Sequence, residues 1–162
     1  MRKLWLLIIA VIAALFTGCT PENLPPGILE FEVAAGKFQV STPDDWVETP
    51  ELGGYTAVES PDLDLVFSIL SVDPSDEEMS IYRNLRVYDV NGRSITVYNG
   101  ASNQPPGQYF GIEYYSGETF HAVVTIGEHR YHVVLIVSST AAPRDDHEQI
   151  LIDLAASLTP MP

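Results

Sequence analysis

Four histidines, 22 acids and a single cysteine give this 162-residue chain most of its chemical range. Two of the histidines share a hairpin. Gly127-Glu128 reads as a two-residue turn, which pairs His132 with Val123 and sets His121 on the same face, diagonal to His132, at about 7–8 Å between Cα atoms. Two such imidazoles could share a metal ion if a third ligand came from elsewhere. Glu113 is the near acid, but its register sets it beside Phe120 on the opposite face. No His-x-x-x-His or Cys-x-x-Cys spacing accompanies the pair. The favoured reading is therefore two half-buried histidines packed under a helix, with His121 and His132 kept as metal candidates only. Asp62-Leu63-Asp64 and Asp73-x-x-Asp76-Glu77-Glu78 offer oxygens for Ca²⁺. They lack the EF-hand spacing, and a solvated acidic face is the simpler account. No Gly-x-Ser-x-Gly elbow and no glycine-rich phosphate loop occurs. No catalytic residue and no cofactor is assigned, and the chain is not expected to be an enzyme.

Cys19 stands in a different context. Arg2 and Lys3 precede an unbroken apolar run from Leu4 to Phe16. That run is short of the ~20 residues a membrane span needs, and it fits the apolar region of a signal peptide. It ends in Phe16-Thr17-Gly18-Cys19, which resembles the lipobox of bacterial lipoproteins. In that family the cysteine sulfur receives a diacylglycerol, a peptidase cuts before it, and the new N-terminus usually takes a further acyl chain such as palmitate. The resemblance implies a signal peptide at 1–18 and lipidation at Cys19. As the single cysteine, Cys19 has no intrachain disulfide partner. The competing account is an ordinary secretory signal with a chance cysteine. Two or three acyl chains would hold the protein firmly, at about 0.8 kcal/mol for each buried CH₂.

Cleavage there would remove Arg2 and Lys3 and no acid, leaving six of the eight bases against all 22 acids. Such a surface repels phosphate backbones and anionic head groups, so nucleic acid is not an expected partner. The expected location is the extracytoplasmic face of a cell membrane, reached through the lipid, with an envelope protein as a possible partner. Which membrane, and the oligomeric state, stay open.

Residues 19–27 carry three prolines in TPENLPPG and read as an extended tether, with a single domain over 28–160. At about 3.1 Å per residue the tether reaches roughly 25 Å. ILEFEV (28–33) and KFQVST (37–42) read as paired strands, followed by a Pro43-Asp44-Asp45-Trp46 turn that drops Trp46 onto the sheet. TAVES (56–60) and LDLVFSILS (63–71) add two more strands. Ser75 to Glu78 has capping-box spacing, with Met79, Tyr82 and Leu85 on one helical face. Asn91-Gly92 is a strong hairpin signal, favouring strands at 85–90 and 93–98, although Gly92 could instead cap a helix. The loop 99–106 is the candidate site-forming loop. Residues 107–140 read as a three-strand meander turning at Ser116-Gly117 and Gly127-Glu128, and it is the expected centre of the fold. A terminal helix over 141–158 starts near Pro143, packs Ile150, Leu151, Leu154 and Leu158, and ends before Pro160.

This order is similar to the PsbP-like fold shared by the photosystem II extrinsic protein and the DcrB-type bacterial lipoproteins. The residues that carry the resemblance are Phe38-x-Val40-x-x-Pro43-x-x-Trp46, the Gly111/Tyr114 strand, Arg130-Tyr131, and Ile150 to Leu158. It implies an α+β fold in which an antiparallel β-sheet is flanked by helices, a PsbP-like α/β/α sandwich. It also implies binding or assembly at a membrane surface without catalysis. Two other functions are weighed against this: a metal-binding domain or hydrolase using His121 and His132, and a structural envelope lipoprotein without ligand.

Overall fold

The computed structural model describes residues 27–43, 45–52, 55–61, 64–99, 108–109, 112–113, 118–137 and 146–162. The expected signal peptide, Cys19 and the tether up to residue 26 lie outside them, as do the loop 100–106, the Ser116-Gly117 turn and Pro143; the terminal helix starts at His147 with Asp146 at its N-cap, later than the expected 141. Among the described residues the strands are β1 (Ile28–Val33), β2 (Gly36–Ser41), β3 (Val47–Leu52), β4 (Tyr55–Glu59) and β5 (Leu65–Val72), then β6 (Arg83–Val90), β7 (Arg93–Asn99), β8 (Gln108–Tyr109), β9 (Ile112–Glu113), β10 (Glu118–Ile126), β11 (His129–Val137) and β12 (Thr159–Pro160). Helix α1 is Asp76–Met79 and helix α2 is His147–Ser157. Every strand pairing among the described residues is antiparallel.

The main sheet has seven strands in the order β3-β4-β5-β11-β10-β7-β6. Its centre is β10 and β11, long runs of Val, Ile, Leu, Tyr and Phe that suit a pleated, buried surface. Gly127 has φ +63 between them, the positive value a type II′ hairpin needs at its first turn position. The expected meander is only partly present. Residues 112–113 pair with 108–109 in a separate two-stranded sheet, and the neighbour of β10 is β7. The hairpin at Asn91-Gly92 forms with both turn residues at positive φ, 52° and 77°, so the helix-cap alternative does not apply. Because β6 and β7 take up residues 83–99, α1 is held to one turn and Leu85 lies in a strand. Sequence reading passed over β3. Its Val47-Glu48-Thr49-Pro50 run carries a proline, which an outer strand tolerates.

One face of the main sheet carries the large core. Phe67, Ile95, Val97, Ala122, Val124, Val133 and Leu135 pack there against Leu151, Ile152, Leu154 and Ala155 of α2 and against Leu158 just past its end. The small sheet β1-β2-β12 completes this layer with Phe31, Phe38 and Val40, and Trp46 joins the same core. The chain leaves α2 and pairs at once with β2, Thr159 opposite Gln39 and Pro160 opposite Phe38, so Pro160 sits in a strand rather than in a bare tail. Arg93 donates to the carbonyls of Ala156 at 2.6 Å and Leu158 at 2.5 Å, placing a cation where the helix leaves carbonyls unpaired. The opposite face holds a smaller cluster of Ala57, Val66, Val134 and Ile136. The single turn of α1 is the helix that reaches this face, through Glu78 and the adjoining Tyr82. Among the described residues the structure is rich in antiparallel sheet and carries two helices, one of eleven residues and one a single turn, less helix than the expected sandwich.

Candidate site: a buried histidine pair under the α1 turn

The hairpin register places the two histidines as their sequence spacing implies. His132 is opposite Val123 and His121 is opposite Val134. Both point away from the α2 core, since Ala122, Val124, Val133 and Leu135 take the other parity. They are fully buried rather than half-buried, at 0% and 2% exposure. Their rings meet directly, with His121 Nδ1 3.0 Å from His132 Nε2.

A β-bulge supplies the next contact. Between β11 and β5, His132 is opposite Ser71 whereas Val133 is opposite Ile69, so β5 carries one extra residue there. A regular register would turn Ser71 toward the α2 core. The extra residue returns it to the histidine face, where its hydroxyl donates to Glu78 Oε1 at 2.7 Å. Glu78 is held from its own helix too. Its backbone N–H donates to the Ser75 hydroxyl at 3.1 Å, and its carboxylate accepts from the Ser75 backbone, the reciprocal capping box. The same carboxylate lies 3.5 Å from His132 Nδ1. Tyr82, just past α1, stacks on His121 with ring centroids 4.3 Å apart and meets His132 edge-on at 5.5 Å.

The Ser71 hydrogen bond and, after it, His132 outweigh the effect of burial and hold the Glu78 carboxyl below its usual range. Facing that carboxylate, His132 Nδ1 is a donor, which leaves Nε2 as the acceptor of a neutral ring. His121 Nδ1 then carries the other proton, and His121 Nε2 is a bare, buried nitrogen without a hydrogen-bond partner. Burial, and second the neighbouring His132, push His121 down to about 3. Burial also lowers His132, although Glu78 opposes the shift. The result is a carboxylate–imidazole–imidazole chain that is stable in one protonation state.

The facing nitrogens are occupied by each other, and among the described residues no group of three or more His, Cys, Asp or Glu side chains could hold a metal ion. Glu113 does not stand beside Phe120. It pairs with Gln108, and Phe120 lies opposite Asn99 and Leu135. Two of the acids offered for Ca²⁺, Asp73 and Asp76, are engaged elsewhere. Asp73 accepts from the Arg130 backbone N–H at 2.8 Å and meets His129 Nδ1 at 2.8 Å, and those contacts, the Arg130 bond first, lower its carboxyl. Asp76 faces Arg130 at 3.8 Å. Asp62 is outside the described residues. Sequence reading missed a third buried histidine, His147, which begins α2 beside the Phe120 ring at 5.8 Å. It also missed Tyr82 and Ser71 as partners of the pair. Ser71 depends on a bulge, which no residue pattern here announces.

No protein-family model matches the chain, and no curated protein matches it. Among solved structures the chain is similar to cyanobacterial PsbP (CyanoP) from Synechocystis, with 11% sequence identity and a TM-score of 0.46, over 90% of this chain and 99% of that one.

Proposed function

We propose that this chain is a lipid-anchored lipoprotein of the extracytoplasmic membrane face, and that its folded domain is a non-catalytic binding or assembly module. The observation that carries the reading is the sequence of residues 1–19. A short basic start and an apolar run end in Thr17-Gly18-Cys19, and that cysteine is the single one in the chain. The excess of acids after Cys19 supports a lipid anchor over charge attraction as the means of holding the membrane.

The geometry of the histidine pair supports a module rather than a catalyst. Glu78 bonds Ser71 and faces His132, and His132 bonds His121, so the titratable groups are spent on one another beneath Tyr82. The outer strands β3 and β6 of the main sheet support a role in meeting a partner, since such edges are where an extended segment can add. On β6, Val87 is 64% exposed. The finer reading of the fold as PsbP-like rests on Phe38, Val40 and Trp46, whose spacing suggested it and which are all buried in the α2-side core.

The test is mass spectrometry of the native protein together with a Cys19→Ser variant. The expected result is loss of residues 1–18, a diacylglycerol thioether on Cys19, and membrane association that survives salt and alkali only in the wild type. A free thiol at Cys19, or a variant that stays with the membrane after cleavage of its leader, contradicts the anchor. Co-purification of an envelope protein from solubilised membranes supports the assembly role, and purification of the chain alone at cellular abundance contradicts it.

A further inference from the structure

We propose that the Glu78–His132–His121 chain is an acid-released latch. Protonation of its imidazoles would free the α1 turn and Tyr82 from the main sheet while the α2 side stays closed. The device rests on how the groups are arranged. Glu78 ties α1 to His132, His132 is bonded to His121 at 3.0 Å, and Tyr82 lies on both rings.

Among the described residues, the titratable and charged groups around the pair come from each packed element. Glu78 comes from α1, and Tyr82 from the segment that follows it. Tyr98 of β7 lies opposite His121 in register. From β5 comes the polar Ser71, with Asp73 just past the strand facing His129. Arg130 of β11 faces Asp76 at the same end. Glu78 is the anion that reaches the pair, and it reaches His132 alone. A first proton on His132 would lie beside that carboxylate, against the larger cost of burial. The bond to His121 then has to reverse, because His132 Nε2 becomes a donor and His121 Nδ1 must accept. A second proton has no such place. It would put two cations 3.0 Å apart in a buried site. Opening relieves this, because imidazoles in water take protons near pH 6.5.

The opening is local because its two ends differ in what holds them. The segment 73–82 buries two apolar side chains, Pro74 and Met79, and contains one helical turn. Helix α2 buries Leu151, Ile152, Leu154 and Ala155 and is tied by Arg93 at its end. Short, weakly buried segments open first. Between pH 6.5 and about 3, the value to which His121 is pushed in the closed form, the open form binds more protons than the closed one. Opening therefore grows as pH falls across that window.

The test is hydrogen exchange of the full chain, read by mass spectrometry from pH 7.5 to 5 and corrected for the pH dependence of intrinsic exchange. Protection of residues 76–82 is expected to fall by about tenfold per pH unit below pH 6 for one proton bound on opening. Protection of residues 147–157, which open only with the whole fold, is expected to stay well above that of residues 76–82 at every pH. A flat profile at 76–82, or protection there no lower than that of 147–157, overturns the latch. His121→Phe keeps an aromatic ring under Tyr82 and removes one titrating group, so the profile should flatten. A variant profile as steep as the wild type also overturns the proposal. The wild-type slope counts protons directly, so the proposal can fail even if this variant does not fold.

Discussion

Strands β10 and β11 present alternate side chains to two different surroundings. On the α2 side, Ala122, Val124, Val133 and Leu135 meet a helix of eleven residues and a second small sheet. On the α1 side, His121 and His132 meet one helical turn, a serine brought round by a bulge, and Tyr82. Both faces exclude water from their central residues, but by different means. The first depends on apolar area, which has no preferred direction and no protonation state. The second depends on hydrogen bonds that close only when both rings are neutral and Glu78 is ionised. Removing a methyl group should therefore be felt chiefly on one face, and adding a proton chiefly on the other.

The largest expected effect breaks the apolar face. Leu151→Ala should cost roughly 2–5 kcal/mol by urea unfolding, as buried leucine truncations do. Its cost should be the same at pH 7.5 and pH 5.5. A cost that changes with pH would join the two faces and contradict the division.

Next comes the pH dependence of the wild type. The His121 value is lowered in the folded state, so the unfolded chain binds more protons between pH 6.5 and about 3. Stability is then fully present above pH 6.5 and falls with pH at about 1.4 kcal/mol per unit for that histidine. His132 adds to the slope in the same direction. Glu48 and Glu59 are raised by burial, with Glu30 adding to the effect at Glu48. They act in the opposite sense, favouring the folded state as pH falls through their own range near and above 4.5, so the histidine slope is cleanest between pH 6.5 and 5.5. Urea midpoints across that interval check the sign.

Glu78→Gln is a smaller perturbation, since the residue is partly exposed. It should cost about 1 kcal/mol at pH 7.5, the scale of one hydrogen bond to a charged group after solvent screening. The depressed Glu78 carboxyl contributes its stability above pH 4.5 and loses it as pH falls through the folded value, so the cost should shrink at low pH. Ser75→Ala should cost least, near 0.5 kcal/mol, because it removes the cap of a single turn. Its effect should appear in exchange at residues 76–82 and not in α2.

The two faces also differ in how legible they were. The α2 side could be read almost residue by residue. Period-3.6 spacing marked Leu151, Leu154 and Leu158, and Trp46 followed a turn back into the core, because burial follows local pattern. The His121–His132 diagonal was legible too, since Gly127-Glu128 fixes the register. What surrounds the pair was not. Tyr82 looked helical because its spacing from Met79 suited a helix, but pairing of β6 with β7 ended the helix at one turn. Ser71 faces His132 through a bulge, and Glu113 was misplaced because β7, not residues 107–115, lies beside β10. These are contacts between distant segments, which local periodicity does not encode.

Histidine ring ¹⁵N NMR of the full chain tests the neutral pair most directly. At pH 7.5 His121 should carry its proton on Nδ1 with a bare Nε2, and His132 should be protonated on Nδ1 facing Glu78. Neither should titrate at pH 6.5 while the α1 turn is closed. Two rings that protonate near pH 6.5 with the α1 turn still protected from exchange would contradict the account.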